Sequence, residues 1–467
     1  MADHKRKAMR LMNDHVPVRS DGTGMSSFGL VLQTMLCVAW QLFSLIWVWF
    51  QRMLWLFSGV SSQRRMSRAR AGYYLGAHVQ DILYRFKYDE FLGAGSASNF
   101  LVVHREFVSM DYLRKDNVFL YDLTREGAVF VEGEEGTQLW RLEFGSFFGV
   151  SLFRNSRRVV TVPLGHFHRF AEELGDPKGK LIFLANGSRC GSTLLCRAFE
   201  STDRAVVYSE PHALEAVSFL QSSFPPDVID VLARDVIRVM CKPVKSPGKV
   251  DAYVFKQRSP QTTCATLYGR LFPNAKQIFM WRDRKKTAES SERLLNQMPS
   301  YMIARSTYWI PSWIRAQFSY HILGRHCGFF PQDFTDICSH PILAGLLPVA
   351  VMLGTYKRLY AAEYKIAAVR YEDIFADQKY CFKAIFDYCN LGPEVLTKAM
   401  SACGEDSQKY SGFAKATVEN ATNSPWTSVA KVKANEIMKR HGLPPMDVPV
   451  AVEGVISCRP KGIAFST

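Results

Sequence analysis

The segment 181–199 has the residue types and spacing of an anion-binding loop. It reads LIFLA, NGSRCGST and LLCRAF, which is an apolar run, a glycine-containing loop and a helical pattern. In such a strand–loop–helix unit, backbone N–H groups approach an anion and the helix N-terminus adds its dipole. Hydroxyl and guanidinium groups in the loop suit phosphate oxygens. The sequence therefore predicts an anion site formed by Gly187, Ser188, Arg189, Cys190, Gly191, Ser192 and Thr193.

The loop is not a Walker A motif. That motif needs a lysine directly after its second glycine, followed by a hydroxyl residue that holds Mg²⁺. Here Ser192 follows Gly191, and no lysine stands between them. A nucleotide hydrolase built on this loop would therefore lack its phosphate-bridging cation. The alternative to an anion-binding loop is an ordinary strand–glycine–helix turn.

Three further blocks of polar residues follow the loop along the chain. QIFMWRDRKKTAESSERLL begins at residue 277, and Arg282 and Ser290 stand eight residues apart in it, so that they can clasp one phosphate from two sides. Ser209-Glu210-Pro211 follows soon after the loop helix, and VRYEDI covers 369–374. Two cations, Lys256 and Arg258, end or follow the run AYVFK.

These blocks, in this order, resemble the sulfotransferases that use 3′-phosphoadenosine 5′-phosphosulfate (PAPS) as sulfuryl donor. R-C-G-S-T is similar to their 5′-phosphosulfate loop, usually R-S-G-[ST]-[ST], with Cys190 at the usual serine position. The Arg282–Ser290 spacing matches the 3′-phosphate contacts of carbohydrate sulfotransferases, although Arg284 replaces the proline of their RDPR motif. The resemblance covers roughly 180–400 and implies PAPS as co-substrate and transfer without metal.

The resemblance also implies roles on the acceptor side. Glu210 corresponds to the proposed general base, and His212 is the rival base. Lys256 and Arg258 are candidate cations for the charge that develops in the transition state. The alternatives are a salt bridge for Glu210 and a solvated strand end for the two cations. The YED block is expected to be structural.

The run 299–344 is rich in aromatic residues and arginines, which suits a sugar or acidic acceptor, a hydrophobic lid or a membrane-facing surface. Cys327 and Cys338 in this run could form a disulfide or, less simply, bind zinc with the neighbouring histidines.

Alternating apolar runs and helical patterns predict the elements that position these residues. KLIFLA, AYVFK, QIFMW and KIAAVR read as strands separated by helices, which favours an α/β fold with a parallel sheet of the P-loop type. A small β-rich region precedes it. The predicted organisation is a basic tail (1–27), a transmembrane anchor (28–58), a basic linker (59–75), a β-rich region (76–175), a sulfotransferase-like domain (176–450) and a tail (451–467).

The charge pattern narrows the partners. The net charge is +15, and residues 1–70 supply ten basic and three acidic residues, so +7 of it lies in that segment. The remaining chain is only mildly basic, which argues against a nucleic-acid binder. Residues 30–50 carry no charge over 21 positions, enough for a membrane helix of about 20 residues. Five basic residues on each side leave its orientation open.

The sequence therefore predicts a membrane-anchored sulfotransferase that modifies a hydroxyl of a glycan or protein tyrosine. By analogy with anchored relatives, we expect a single-pass Golgi enzyme with a lumenal catalytic domain. The alternatives are a non-catalytic, membrane-tethered nucleotide-binding protein and a P-loop kinase for a small molecule. The acceptor and the oligomeric state stay open.

Overall fold

The amino-terminal segment that contains the apolar run is helical. The computed structural model describes residues 27–91, 94–258, 261, 264–306, 310–319, 329–337, 339–402 and 423–456. Helix α1 spans Ser27–Phe57 and α2 spans Val60–Arg68, with a 3₁₀ helix over Arg70–Leu75. Gly59, at φ 77°, provides the left-handed turn between the two α-helices. The segment 59–75, which was predicted as a linker, contains α2 and the 3₁₀ helix. Val60 and Ser67 of α2 are buried.

The β-rich region forms a five-stranded antiparallel sheet. Its order is β2-β1-β5-β4-β3. The strands are β1 (Ala77–Arg85), β2 (Phe100–Val108), β3 (Val118–Leu123), β4 (Gly127–Glu132) and β5 (Arg158–Pro163), with helices α3 (Phe148–Asn155) and α4 (Leu164–Leu174).

The second sheet is parallel, as predicted, and has the order β10-β9-β6-β8-β7. Its strands are β6 (Lys180–Asn186), β7 (Ala205–Ser209), β8 (Ala252–Lys256), β9 (Lys276–Trp281) and β10 (Ala367–Arg370). The interleaved helices are α5 (Ser192–Glu200), α6 (His212–Leu220), α7 (Pro226–Met240), α8 (Ala265–Leu271) and α9 (Arg284–Leu295). The four predicted strands are present, and the sequence analysis missed β7.

The remaining helices surround this sheet. They are α10 (Pro299–Ser306), α11 (Ser312–Ser319), α12 (Pro331–Ile337), α13 (Pro341–Ala361), α14 (Tyr371–Ala376), α15 (Gln378–Tyr388), α16 (Val395–Ala402) and α17 (Ser428–Arg440). Two helices in the described ranges, α1 and α13, are long and apolar enough to cross a membrane, but α13 is largely buried in the protein. Val455, in the predicted tail, pairs with Ala368 of β10.

One hydrophobic core joins the two sheets. Val160 of β5, Phe167 of α4 and Phe183 of β6 belong to the same buried cluster. The boundary predicted near residue 175 therefore separates two sheets that pack together, because α4 covers one sheet and its chain leads directly into the other. This shared core packs the β-rich region against the parallel sheet.

Candidate anion-binding and catalytic site

The sequence-predicted residues collect at one edge of the parallel sheet. The anion loop follows β6, Glu210 follows β7, Lys256 ends β8 and Arg282 follows β9. Because these strands are parallel neighbours, their carboxyl ends meet along one line, where ligands of open α/β sheets bind. The sheet order puts the loop between Arg282 on one side and the Glu210–Lys256 pair on the other.

The loop has a left-handed backbone at three positions. Ser188, Arg189 and Gly191 have φ values of 64°, 48° and 80°. Such conformations cost on the order of 1–3 kcal/mol for non-glycine residues and persist only where the surroundings hold them. Asn186 is one such support: its side chain accepts a hydrogen bond from the Ser188 N–H at 3.1 Å and donates to the Gln257 carbonyl at 2.6 Å. Sequence analysis did not identify this asparagine.

The loop and the Arg282–Ser290 block are in direct contact. Arg189 Nε donates to Ser290 Oγ at 2.9 Å, and Arg282 donates to the Arg189 carbonyl at 3.2 Å. Ser291, next in the same helix, lies 3.5 Å from the Ser188 hydroxyl. The fold therefore brings together two predicted anion-binding blocks that lie about a hundred residues apart in the sequence.

The electrostatics of this contact favour an anion. Burial, and then the neighbouring Arg282, lower the pKa of Arg189. Arg282 Nε is buried and has no hydrogen-bond partner among the described residues. A buried donor without a partner is costly. Two adjacent guanidiniums and two serine hydroxyls would be satisfied by phosphate oxygens, so the residues present fit the phosphates of a PAPS-type donor.

The aromatic ring of Tyr371 packs against the loop at Gly191. The Tyr371 ring would lie 3.0 Å from a Cβ added at Gly191, and the Arg282 guanidinium stacks 4.3 Å from the centre of that ring. Glu372 accepts from the Asp283 N–H at 3.2 Å. The carboxylate of the YED block thus ties β10 to the end of β9, as its expected structural role requires, whereas the position of the tyrosine ring was not predicted.

On the other side of the loop, Lys256 connects the loop to Glu210. Lys256 Nζ lies 2.6 Å from the Glu210 carboxylate and 3.3 Å from Thr193 Oγ1. The lysine side chain is only 3% exposed and lies 4.9 Å from the centre of the Phe147 ring, while Glu210 is 19% exposed. A cation therefore lies between the anion loop and the candidate base, and Glu210 still reaches solvent.

Arg258 has a different arrangement from the one expected of a transition-state cation. Its guanidinium contacts both carboxylate oxygens of Glu215 at 3.0 Å and donates to the Phe91 carbonyl. It lies 3.6 Å from Glu210. Burial alone would raise the pKa of Glu215, but Arg258 and His212 lower it to about 2. Arg258 therefore connects the segment after β8 to Glu215 of α6 and to the Phe91 carbonyl, so we assign it a positioning role.

His212, the rival base, is buried behind Glu210. Its Nε2 lies 3.2 Å from Lys87 Nζ, and its ring packs edge-on against Tyr121. Burial, and then the Lys87 charge, lower the pKa of His212 to about 3, so the imidazole is neutral at pH 7. Burial also lowers the pKa of Lys87 to about 7. Lys87 follows β1, a strand that sequence analysis did not recognise, so no local signal pointed to it.

The cysteines of the loop segment are inert. Cys190 is fully buried, and burial raises the pKa of its thiol to about 11. Cys196 lies in the core. Cys327 and Cys338 lie outside the described residues. Within the described ranges no group of three or more histidine, cysteine, aspartate or glutamate side chains could hold a metal ion.

Comparisons with known proteins give structural neighbours only. No protein-family model and no curated protein matches the chain. A sulfotransferase from Mycobacterium avium matches with a TM-score of 0.36 and 9% identity, over 59% of this chain and 80% of its own. A Mycobacterium tuberculosis sulfotransferase gives 0.28 and 12%, over 58% and 82%. The sulfotransferase domain of a Synechococcus olefin synthase gives 0.29 and 15%, over 59% and 97%. These values do not assign the chain to a family.

Proposed function

We propose that the protein is a sulfotransferase that moves a sulfuryl group from PAPS to an acceptor hydroxyl, without a metal. The observation that carries the proposal is the contact of the Arg189 loop with Arg282 and Ser290, next to the Lys256–Glu210 pair. This arrangement offers one anion position at Arg282 and Ser290, a second position in the loop itself, and the Lys256–Glu210 pair on the far side of the loop. A donor with two separate phosphate positions matches that layout.

The chain's residues would divide the work between the two sides. Arg282, Ser290 and Arg189 would hold the 3′-phosphate end, because they supply fixed cations and a hydroxyl at one place. The loop backbone and Thr193 would hold the 5′-phosphosulfate at the α5 N-terminus. PAPS supplies an activated sulfuryl group when bound.

Glu210 would accept the proton of the attacking hydroxyl. Its carboxylate is fixed by Lys256 and partly exposed to solvent, so an acceptor can reach it. Lys256, which also contacts Thr193, is placed to offset negative charge on the bridging oxygen as it develops. His212 is too poor a base for this role at neutral pH, since the pKa of its ring is lowered to about 3.

Membrane attachment through α1 is part of the proposal. The helix is long and apolar enough for it. A Golgi location with a lumenal site, and a glycan or protein acceptor rather than nucleic acid, follow from the resemblance to anchored sulfotransferases and remain proposals.

The first test is stabilisation of the full chain in detergent by adenosine 3′,5′-bisphosphate, compared with ATP–Mg²⁺. At about 100 times its dissociation constant, a ligand adds roughly 2.7 kcal/mol to the free energy of unfolding. We expect stabilisation by the bisphosphate in excess EDTA, loss of the effect in Arg282→Ala, and no loss in Lys285→Ala, which changes an exposed residue of the adjoining helix α9. Stabilisation by ATP–Mg²⁺ alone would indicate a kinase. Bisphosphate binding without transfer to any acceptor would indicate a tethered binding protein.

A further inference from the structure

Helix α1 faces the protein body with a stripe of polar and aromatic residues. Residues shielded from solvent recur at intervals of three and four, which places them on one face of a helix. Several of them are polar or aromatic rather than aliphatic. The shielded stripe includes Gln33, Cys37, Trp40, Ser44, Trp47 and Gln51.

This stripe docks lengthwise on the β1–β2 ribbon. Trp47 Nε1 and Gln51 Nε2 both donate to the Val102 carbonyl of β2, at 3.0 and 2.7 Å. Toward the other end of α1, Gln33 Nε2 donates to the Tyr88 carbonyl at 2.8 Å. Trp40 lies between these contacts and packs against Tyr84, near the end of β1, and Phe86, which directly follows β1. Hydrogen bonds near both ends therefore hold the helix against the body.

The outward face of α1 is almost entirely apolar. Between residues 31 and 57, Gln41 and Arg52 are the polar residues classed as exposed, and Phe57 is 85% exposed. A helix that faces water has the opposite pattern, with its apolar stripe inward. Contiguous exposed apolar surface of this extent marks a membrane or protein contact. Exposed Arg52, Arg65 and Arg68 flank it, which suits anionic lipid headgroups.

The docked helix borders the acceptor side of the site. Tyr88, which accepts from α1, follows directly after Lys87, which contacts His212. Asp89 accepts from the Ser300 N–H of α10, and α10 itself touches α1. The same short segment after β1 therefore carries contacts to the membrane-facing helix and to the site.

An apolar wall continues this segment into the site. Phe91 packs edge-on against Phe147 at 6.0 Å, and both belong to a cluster around Met298. Phe147 in turn lies under the Lys256 ammonium. An acceptor approaching Glu210 from this side would meet aromatic and aliphatic surface next to a lipid-facing helix.

We propose that α1 lies lengthwise in the membrane interface and that the acceptor is the hydroxyl of a membrane-resident amphiphile, such as a glycolipid. This inference rests on the proposed sulfotransferase function. The hydroxyl oxygen forms a bond to sulfur, the bond from sulfur to the bridging phosphate oxygen breaks, and the hydroxyl proton passes to Glu210. The products are a lipid sulfate ester and adenosine 3′,5′-bisphosphate. An upright α1 would carry the β1–β2 ribbon into hydrocarbon, together with its charged Arg105–Asp81 pair.

The membrane placement is tested without any activity. A fluorescent amino acid at Tyr84, which is 61% exposed beside Trp40, is compared with one at Phe375, equally exposed on α14. The full chain is placed in nanodiscs that contain anionic lipid and a lipid quencher located near the headgroups. We expect at least twofold quenching at position 84 and none at position 375. No quenching at 84 by this lipid, with quenching of a probe at Leu45 by a second lipid quencher located at the bilayer centre, would show an upright helix and overturn the placement.

The acceptor class is tested with labelled PAPS and two forms of one sugar: a glycolipid in vesicles and the same sugar as a free methyl glycoside. We expect at least tenfold faster sulfation of the glycolipid. In the double variant Gln33→Leu/Gln51→Leu, the rate of glycolipid sulfation should fall about tenfold while bisphosphate binding is kept. In Gln41→Leu, which changes an outward-facing residue, the sulfation rate should be the same as in the unaltered protein. Failure to bind the bisphosphate would refute the proposed function itself. Bisphosphate binding with equal use of both acceptors, or of neither, would refute the lipid acceptor.

Discussion

Replacing Glu210 with glutamine separates a catalytic role from a structural one. The amide keeps the size of the carboxylate and its ability to accept a hydrogen bond from Lys256, but it cannot take a proton. General-base catalysis is worth about 10²–10⁴-fold in rate. We therefore expect Glu210→Gln to lower kcat by at least about 100-fold and to leave the dissociation constant for adenosine 3′,5′-bisphosphate within about threefold.

The structure also sets the cost in stability. At 2.6 Å and an effective dielectric constant near 20, the Glu210–Lys256 attraction is about 6 kcal/mol before desolvation is subtracted. Removing one partner of a fully buried pair costs about 3–5 kcal/mol. Glu210 is 19% exposed and the amide keeps one hydrogen bond, so we expect a loss of about 2 kcal/mol in the free energy of unfolding.

Single-turnover transfer from labelled PAPS measures the chemical step, and calorimetry measures bisphosphate binding on the same samples. Lys256→Met and the double variant complete a mutant cycle, in which residues acting together give strongly non-additive losses. A Glu210→Gln protein that keeps more than a tenth of the wild-type rate would refute the assignment of Glu210 as base. Loss of both turnover and bisphosphate binding would show that the ion pair supports the fold of the loop instead.

Three further perturbations address the donor side and the buried histidine. Ser290→Ala should weaken bisphosphate binding about tenfold in calorimetry, because a hydrogen bond to a charged group is lost, whereas Lys285→Ala should not. Gly191→Ala should lower the free energy of unfolding by about 1–3 kcal/mol in denaturant titration, since φ is 80° and an aromatic ring lies 3.0 Å from the new Cβ. His212 is neutral in the fold but charged when unfolded below pH 6.5, so stability should fall as the pH drops from about 6.5 to 3. In His212→Asn, that part of the acid loss should disappear from the pH series; an unchanged series would contradict the buried neutral imidazole.

Sequence patterns predicted strands that read as clear apolar runs, although β7 was missed despite being buried throughout. KLIFLA and QIFMW became β6 and β9, which are central in the parallel sheet and apolar on both faces. β1 reads AHVQDILYR and mixes charged with apolar residues, because one end is buried by the core and the other is open. The helices within 59–75 were not predicted, because Val60 and Ser67 are the two buried positions of α2 and the rest of that helix is polar or exposed.

The proposed donor side could be formulated from the sequence because its residues lie in two short blocks with fixed spacing. The Arg189–Ser290 contact follows from parallel neighbours β6 and β9. Lys87 and Glu215 could not be assigned in this way. Lys87 reaches His212 only because the shared core brings the antiparallel sheet against the other. The contact of α1 with the protein body through its polar stripe could not be predicted either, because mean hydropathy averages over all faces of a helix.

The central claim is that Arg189, Arg282 and Ser290 hold the 3′-phosphate of the sulfuryl donor. The most direct measurement is the ratio of calorimetric affinities for adenosine 3′,5′-bisphosphate and adenosine 5′-phosphate, which differ only in that group. Two charge-assisted hydrogen bonds are worth about 3 kcal/mol, so we predict a preference of roughly 100-fold for the bisphosphate, reduced to about tenfold in Arg282→Ala, where Ser290 still contacts the phosphate. Equal affinity for the two nucleotides in the unaltered protein would contradict the account.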